Sequence, residues 1–313
     1  MTSPPKRCLR IAIVGVGRIA RDQHVPAITT NPRFVLAATA SAHNRIAGVP
    51  AYADLAELIA RERDIDAVAI CTPPQVRYQI AKTAIAAGLH VLLEKPPGAT
   101  LAEVGDLARR AKDAGVTLFA TWHSRSAAGV ETARTWLQYR RILSVRIDWR
   151  EDIRVWHPGQ RWILEAGGMG VFDPGINALS IATRILPGCL IVEAAILRVP
   201  CGAGAPIAAT LRLSCSEARV DAEFDFLQTG PQMWDIVIET DGGLLRLSNG
   251  GRTLSIDGDV RSTEVDAEYP DLYRQMATLI DERTSDVDLR PLELVADAFM
   301  IGAREEAEAF TDF

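Results

Sequence analysis

The feature that most constrains this chain is an apolar run near the N-terminus that ends in a glycine-rich turn. Four apolar residues, 11–14, are typical of a buried strand, and Gly15-Val16-Gly17-Arg18-Ile19-Ala20 follows them. In such a G-x-G-x-x-A pattern the first glycine permits a tight turn and the second lets the backbone approach a pyrophosphate, while the alanine lets strand and helix pack closely. A purely structural turn is the alternative. Because the pattern lies between a predicted strand and a predicted helix, it favours dinucleotide binding.

The first part of the chain alternates predicted strands and helices. Strands are predicted at 34–40, 66–71, 90–93 and 116–120, and helices at 55–63, 79–87 and 101–114. This alternation predicts a Rossmann domain, a doubly wound parallel sheet, over residues 1–123. Ligands of such sheets bind beyond the carboxyl ends of the strands. The predicted cofactor-binding residues are Gly15, Gly17, Arg18, Ile19, Ser41, His43, Cys71, Thr72, Pro73, Gln75, Glu94 and Lys95.

The pattern changes in the second part of the chain. Strand-like runs occur at 143–149, 191–199, 208–213, 218–226, 234–240 and 244–247, with turn signals at 241–243 and 248–251. Helices are predicted at 127–139, 173–185, 272–283 and 291–309. We therefore expect an α+β domain over residues 124–313 with an open, mostly antiparallel sheet. This domain would recognise the substrate, and its sheet face could be covered by a second subunit.

Composition narrows the class of protein. The chain has 313 residues, 48% of them hydrophobic, and a net charge of −6, which argues against a nucleic-acid partner. Its five cysteines are scattered without C-x-x-C spacing, which predicts reduced thiols and no metal site. Residues 1–10 lack the apolar core of a secretory signal, and no apolar run is long enough to span a bilayer. We expect a cytoplasmic protein.

The loop after the second predicted strand bears on the choice of nicotinamide cofactor. In NAD-selective proteins an acidic residue at the end of this strand binds the ribose 2′-hydroxyl. Residues 40–45 here are Ala-Ser-Ala-His-Asn-Arg and contain no carboxylate. Ser41 can donate a hydrogen bond to a 2′-phosphate, and Arg18, His43 or Arg45 would add positive charge. The sequence predicts that NADP is accepted, with NAD alongside it; the alternative is a polar loop that contacts nothing.

Two further stretches carry residues suited to proton transfer. Lys95 lies in Glu94-Lys95-Pro96 at the end of a predicted strand, where its amine would point into the ligand crevice. Asp173 and Asn177 follow the glycine-rich run 167–170, and their spacing of four places both side chains on one helix face. We expect these glycines to let the chain pass close to a ligand. The alternatives are a surface lysine and an aspartate that caps a helix.

These motifs resemble those of the oxidoreductase family named after glucose–fructose oxidoreductase, inositol dehydrogenase and rhizopine catabolism. The resemblance is carried by the glycine motif at 15–20, by Cys71-Thr72-Pro73-Pro74, by Glu94-Lys95-Pro96 and by the run ending in Asp173. Within this family, the chain is similar to the bacterial D-galactose 1-dehydrogenase / L-arabinose 1-dehydrogenase group in segments 19–24, 120–125, 156–160, 171–180 and 284–288. The wider family usually has histidine where Asn177 stands.

The resemblance implies oxidation of an aldopyranose at C1 to an aldonolactone. The Asn177 amide does not titrate, so proton transfer would depend on Lys95 and Asp173. We expect these two side chains to meet at the anomeric oxygen. The predicted substrate-binding residues are Lys95, His123, Glu151, Trp156, His157, Asp173, Asn177 and Trp234.

Alternatives remain both for single residues and for the function of the whole chain. Trp156 could belong to the core, His123 could be a satisfied buried histidine, and Glu151 could pair with Arg150 or Arg154. The whole chain could instead oxidise another sugar or polyol, or serve as a nucleotide-binding sensor without catalysis.

Overall fold

In the computed structural model, which describes residues 7–263 and 267–312, the N-terminal apolar run forms the strand β1 (Leu9–Val14). β1 lies inside a six-stranded sheet whose order is β3-β2-β1-β4-β5-β6, with every neighbouring pair parallel. The other strands are β2 (Phe34–Ala40), β3 (Ala51–Tyr52), β4 (Ala67–Ile70), β5 (His90–Leu93) and β6 (Leu118–Ala120). The chain order reverses beside β1, which confirms the doubly wound prediction and puts the ligand crevice at the carboxyl ends of β1 and β4.

Helices connect these strands. A π-helical turn (Ala20–His24) leads into α1 (Val25–Thr30), and the later connections are α2 (Leu55–Arg61), α3 (Pro74–Ala86) and α4 (Leu101–Ala114). The Thr100 side chain caps α4, which ends at Gly115 in the left-handed region. α3 begins five residues before the predicted start at 79. The prolines that stop β4 also suit the first helical turn, where a missing N–H costs nothing.

The remaining strands form a nine-stranded sheet in the order β14-β13-β12-β11-β7-β10-β9-β8-β15. They are β7 (Ile142–Arg150), β8 (Leu190–Pro200), β9 (Ala208–Cys215), β10 (Ala218–Asp225), β11 (Met233–Thr240), β12 (Gly243–Ser248), β13 (Thr253–Ile256), β14 (Asp259–Thr263) and β15 (Ala303–Ala307). Only the pairs β7–β10 and β8–β15 are parallel among those described. The prediction of a mostly antiparallel sheet is confirmed.

The later helices are α5 (Val130–Leu137), α6 (Ile153–Trp156), α7 (Phe172–Ile185), α8 (Glu268–Glu282) and α9 (Arg290–Ile301). α7 is the core helix of this part: all its residues are buried except Asn177 and Arg184. Its Gly175 lies so close to Phe224 of β10 that an added Cβ would be 2.8 Å from the ring. Close approach of helix and sheet therefore depends on this glycine.

The predicted helix over 291–309 was wrong in its second half. The helix ends at Ile301, and the chain then pairs in parallel with β8 as β15. At Gly302 a Cβ would lie 2.4 Å from the Ala298 carbonyl oxygen and 3.0 Å from Leu197 of β8. This close approach to β8 redirects the chain from helix to strand.

The chain divides into two compact units, Met1–His123 with Glu268–Asp288, and Ser124–Ala267 with Leu289–Phe313. The second part was predicted as one domain over 124–313, and the structure differs because α8 returns to the first unit. Tyr269, Leu272, Tyr273 and Met276 of α8 join the core formed by β1 and α1. The apolar stripe of α8 shows which face is buried but not which domain buries it. Among the described residues, no helix has both the length and the apolar character needed to cross a membrane.

Candidate active site

The glycine turn after β1 leaves room for a nucleotide. Gly15 has φ +91°, and an added Cβ would lie 2.9 Å from the backbone nitrogen of Thr72, so the loops after β1 and β4 touch at this glycine. An added Cβ on Gly17 would meet no atom within 4 Å among those described. In the same place the Thr72 hydroxyl oxygen is buried and has no hydrogen-bond partner in the described chain. The open space beside Gly17 fits a dinucleotide phosphate, and the Thr72 hydroxyl could donate a hydrogen bond to one.

The predicted cofactor residues lie at the carboxyl edge of the six-stranded sheet, in the loops after the strands and in the first helical turns that follow them. Ile19 is an apolar side chain that is 37% exposed, as expected where a ligand would cover it. Exposed members are Gly17, Arg18, His43, Pro73 and Gln75, and half-buried members are Gly15, Ser41, Cys71, Thr72 and Lys95. Glu94 is buried.

The loop after β2 is polar and mostly exposed. The Ser41 backbone N–H donates to the Tyr52 carbonyl at 2.9 Å, which fixes the start of the loop. Arg21, which the sequence prediction did not include, donates from Nη2 to the Arg45 carbonyl at 3.1 Å. Arg18 forms an exposed ion pair with Asp22 at 3.4 Å. Arg21 therefore places positive charge beside a loop that contains no carboxylate.

A buried arginine that was not among the predicted site residues connects two of these loops. The Arg77 side chain, only 2% exposed, donates to the backbone carbonyls of Thr72, Glu94 and Pro96. It therefore connects the loop after β4 with the loop that carries Lys95. In an amphipathic helix, the pattern alone does not separate a buried arginine from an exposed one.

Glu94 is the centre of a buried polar network. Its Oε1 accepts from Tyr269 OH at 2.8 Å and pairs with His24 Nε2 at 2.9 Å, and its Oε2 accepts from the Lys95 backbone N–H at 2.8 Å. The Tyr273 hydroxyl contacts His24 Nδ1 at 2.7 Å. The network therefore fixes the backbone at Lys95 from two sides, through His24 at the end of the π-helical turn and Tyr269 of α8.

Charge in this network is set by burial and pairing. Burial alone would raise the pKa of Glu94, but the hydrogen bond and charge of His24 hold it well below its usual range. Burial would lower the pKa of His24, but its contacts with Cys71, Tyr273 and Glu94 outweigh this and raise it. Burial raises the pKa of Tyr273 to about 12. We therefore describe His24 and Glu94 as a buried ion pair.

His123 lies in the first unit. Its Nδ1 contacts Glu268 Oε2 at 2.5 Å, and its ring stacks on Tyr269 at 5.3 Å between centroids. Glu268 is 7% exposed. This ring is thus oriented by α8, as the alternative of a satisfied histidine anticipated. A role in substrate contact stays a prediction.

In the second unit, three of the predicted substrate residues form a connected group. Glu151 directly follows β7 and is 3% exposed. Its Oε2 accepts from the Trp234 indole N–H at 2.9 Å, and its Oε1 contacts His157 Nε2 at 3.1 Å. Arg154 pairs with Asp152 instead, and Arg150 with Asp148 and Glu223. The alternative pairing of Glu151 with either arginine is therefore not what the structure shows.

Asp173 continues this group. Its Oδ2 lies 3.9 Å from His157 Nδ1, and the residue is 6% exposed. α7 begins at Phe172 with Val171 as its cap residue, so Asp173 lies in the first turn and is not the N-cap. Asn177, one turn further on, is half-buried in a helix that is otherwise almost wholly buried. Both side chains therefore occupy the same face of α7, as their spacing predicted.

Indole rings border the carboxylate. Trp234 lies 4.9 Å from Trp156 and 5.9 Å from Trp149, measured between ring centroids. Trp156 and Trp234 are half-buried, and Trp149 is 3% exposed. Phe226 meets the His157 ring edge-on at 5.4 Å. Partly exposed aromatic faces beside fixed polar atoms suit the binding of a sugar ring.

The glycine-rich run before α7 has a different role from the one predicted. A Cβ on Gly168 would lie 2.2 Å from the Ile163 carbonyl oxygen, and one on Gly170 would lie 2.1 Å from that of Pro206. Gly170 also has φ +56°. The expectation that these two glycines accommodate a ligand was wrong, because they accommodate the protein's own backbone. In the described residues no group of three or more side chains is arranged to hold a metal ion.

The doubly wound parallel sheet and its open glycine turn define a dinucleotide-binding protein of the Rossmann class. The chain belongs to the oxidoreductase family with an NAD-binding Rossmann fold, GFO_IDH_MocA, which matches residues 9–121. This confirms the resemblance read from the motifs. It also establishes a nicotinamide dinucleotide as the cofactor.

Individual relatives agree over a longer span. Galactose 1-dehydrogenase from Pseudomonas fluorescens is 47% identical over 305 residues, covering 97% of this chain and 99% of that protein. The crystal structure of the D-galactose-1-dehydrogenase protein from Rhizobium etli matches with a TM-score of 0.95 and 51% identity, covering 99% of this chain and 100% of that one. The 3-ketoreductase KijD10 from Actinomadura kijaniata, in complex with TDP-benzene and NADP, shares the fold with a TM-score of 0.81 and 17% identity, covering 96% and 100% of the two chains.

Proposed function

We propose that this protein is an NAD(P)-dependent aldose 1-dehydrogenase that oxidises D-galactose and L-arabinose at C1 to the aldonolactone. The observation that carries the proposal is the similarity to galactose 1-dehydrogenases along nearly the whole chain. The group formed by Glu151, His157, Asp173 and Trp234 supports it, because fixed carboxylates beside indole faces suit sugar hydroxyls and ring carbons.

The proposed chemistry divides between the cofactor and the protein. When bound, the oxidised nicotinamide accepts the hydride that leaves C1. A hydroxyl is a poor hydride donor until its proton is leaving, so Lys95 and Asp173 are proposed to receive the C1 hydroxyl proton. A charged Lys95 would in addition stabilise a developing alkoxide. Arg77 and Glu94 fix the backbone on either side of Lys95.

The other predicted residues are proposed to bind the sugar. Asn177 cannot titrate and would position a hydroxyl with its amide. Glu151 and His157 would accept or donate at the remaining hydroxyls, with Trp156 and Trp234 against the ring face. His123 is proposed as a further contact.

Sugar preference follows from stereochemistry. Galactose and arabinose match at C2, C3 and C4, and the hydroxymethyl group that arabinose lacks discriminates weakly. D-Glucose differs at C4 and would leave a polar group of the site unpaired, so its kcat/KM should be about tenfold lower or worse.

Initial-rate kinetics at 340 nm test the proposal, with both sugars, D-glucose and both cofactors. We expect turnover of galactose and arabinose, and a lactone as the first product detected by NMR. Absence of turnover with any aldose, despite tight cofactor binding, would instead support a sensor. A preference for a polyol would support a different dehydrogenase of the same family.

Two broader expectations stay as proposals. A second copy is proposed to cover the outer face of the nine-stranded sheet, where paired charges such as Arg146–Asp148 and Arg246–Asp235 lie partly exposed. Light scattering after size exclusion measures the oligomeric state. A cytoplasmic location is likewise proposed from composition alone.

A further inference from the structure

The second unit contains a row of three ionisable side chains in contact order Glu151, His157, Asp173. His157 lies between two carboxylates, with Nε2 3.1 Å from Glu151 and Nδ1 3.9 Å from Asp173. Each ring nitrogen therefore faces one acid. The proposed function uses Asp173 as a proton acceptor but does not say where that proton goes next.

The hydrogen bonds decide which nitrogen of a neutral His157 carries the hydrogen. Glu151 already accepts from the indole N–H of Trp234, and a carboxylate can only accept. His157 Nε2 must then be the donor to Glu151. The Nδ1 atom of the neutral ring is left with a lone pair, and it faces Asp173.

The solvent exposure of the three side chains indicates which of them can release a proton to water. The side chains of Glu151 and Asp173 are 3% and 9% exposed, whereas that of His157 is 15% exposed. His157 is thus the member of the row with the most access to water. Asn177, on the same face of α7 as Asp173, is an amide and cannot take a proton.

We propose that His157 is a proton relay: it receives the substrate-derived proton from Asp173 and passes it to water, while Glu151 stabilises the charged ring. This inference rests on the proposed function. In the step, the O–H bond of protonated Asp173 breaks and an Nδ1–H bond forms on His157. The carboxyl becomes a carboxylate, and the neutral imidazole becomes an imidazolium. The Nδ1–H bond then breaks as a solvent water molecule takes the proton, and the neutral ring is restored.

Charge favours this step, and the geometry allows it after a small approach of the two side chains. The 3.9 Å separation exceeds a hydrogen bond, so transfer needs about 1 Å of closure or one bridging water, as is common before a substrate binds. The charged ring would lie between two carboxylates, which compensate the loss of solvation. Phe226 packs edge-on against the ring and contributes no charge.

The test compares His157→Gln with the wild-type holoenzyme in two measurements. Single-turnover experiments follow formation of reduced nicotinamide before product release, and steady-state kinetics measure repeated turnover, which requires Asp173 to lose its proton between cycles. A glutamine amide keeps a donor for Glu151 but cannot accept a proton at the Nδ1 position. We expect the single-turnover rate to be kept, because Asp173 begins as a carboxylate, and the steady-state kcat to fall about tenfold or more, while the galactose concentration for half-saturation changes much less. His157→Ala should be as slow, and added imidazole should restore part of its rate.

His90→Gln is the matched control, since His90 lies at the amino end of β5 and accepts from the Thr117 backbone N–H at 3.0 Å. Cofactor binding, followed by fluorescence, checks that each variant is folded. A wild-type steady-state kcat in His157→Gln would overturn the relay while leaving the proposed function intact. The relay would also be overturned if imidazole does not rescue the slow variants and the galactose concentration for half-saturation rises, because these results indicate a structural or binding role. Failure of the wild type to oxidise any aldose would overturn the proposed function, and the relay with it.

Discussion

Single side chains set the chemistry of both units, and several act through neighbours that are far away in sequence. Lys95 is held by the Glu94 carboxylate and by Arg77, while Glu94 in turn depends on His24 and Tyr269. Each unit therefore contains one proposed proton-transfer residue, Lys95 beside the Glu94 network and Asp173 beside the hydrogen-bonded His157–Glu151 pair.

Lys95→Ala and Asp173→Ala should each lower kcat by about a hundredfold or more, because each removes a proposed proton acceptor at the C1 hydroxyl. Binding of the cofactor, measured by fluorescence titration, should change little in Asp173→Ala. Near-normal turnover in either variant would remove that residue from the mechanism.

Ser41→Asp should shift the cofactor preference towards NAD. A carboxylate at the end of β2 would bind the ribose 2′-hydroxyl and repel a 2′-phosphate. We expect kcat/KM with NADP to fall about tenfold or more, while that with NAD is kept. Ser41→Ala is the control that removes the hydroxyl without adding charge. Unchanged use of NADP in Ser41→Asp would place the 2′-phosphate elsewhere.

The buried His24–Glu94 pair should make stability depend on pH. The pKa of His24 is raised in the folded protein, so its contribution is complete below the ordinary value of 6.5 and is lost as pH rises through the raised pKa. Urea unfolding of wild type and His24→Gln should therefore differ by about 3 kcal/mol at pH 6, and by less at pH 9. A difference that grows with pH would contradict the charged form of His24.

At the scale of elements, the glycines fall into two groups: some are required for packing within the fold, and one leaves space for a ligand. Gly168, Gly170 and Gly175 are required by the protein's own packing, whereas the space beside Gly17 is open. The two kinds of glycine look alike in sequence, and only the neighbours that fold against them distinguish their roles.

Gly17→Ala should fold normally and bind NAD(P) more weakly, because its methyl group would enter space left for the pyrophosphate. Gly105→Ala is a matched control: it lies inside α4, where an added Cβ also meets no atom within 4 Å among those described. We expect Gly105→Ala to gain about 1 kcal/mol of stability with unchanged cofactor binding. Calorimetry measures both quantities, and equal affinity in the two variants would argue against phosphate binding at this turn.

Much of the secondary structure was predictable, since it depends on local pattern. The strands β2 and β5 and the helix α4 begin and end where apolar periodicity, caps and glycines indicated. The predicted helix that became β15 failed because pairing with β8 is a long-range contact. The link between His157 and Asp173 was unpredictable for the same reason: their separation in sequence carries no information about a shared face.

At the scale of the whole molecule, the least predictable feature was the return of α8 to the first unit. The predicted helix at 272–283 left out Tyr269, yet the hydroxyls of Tyr269 and Tyr273 complete the polar network around Glu94. Sequence patterns identify a buried face, but which core receives it depends on the energetics of the complete fold.

This return has a consequence for biosynthesis. While the ribosome is still making residues 124–267, the nucleotide-binding half lacks the helix that covers β1 and α1 and closes the network around Glu94. At ordinary elongation speeds that interval is roughly 10–30 s. The nucleotide-binding unit is therefore synthesised first but completes its fold late. Until α8 emerges, the nascent chain exposes the apolar surface of β1 and α1 to chaperones.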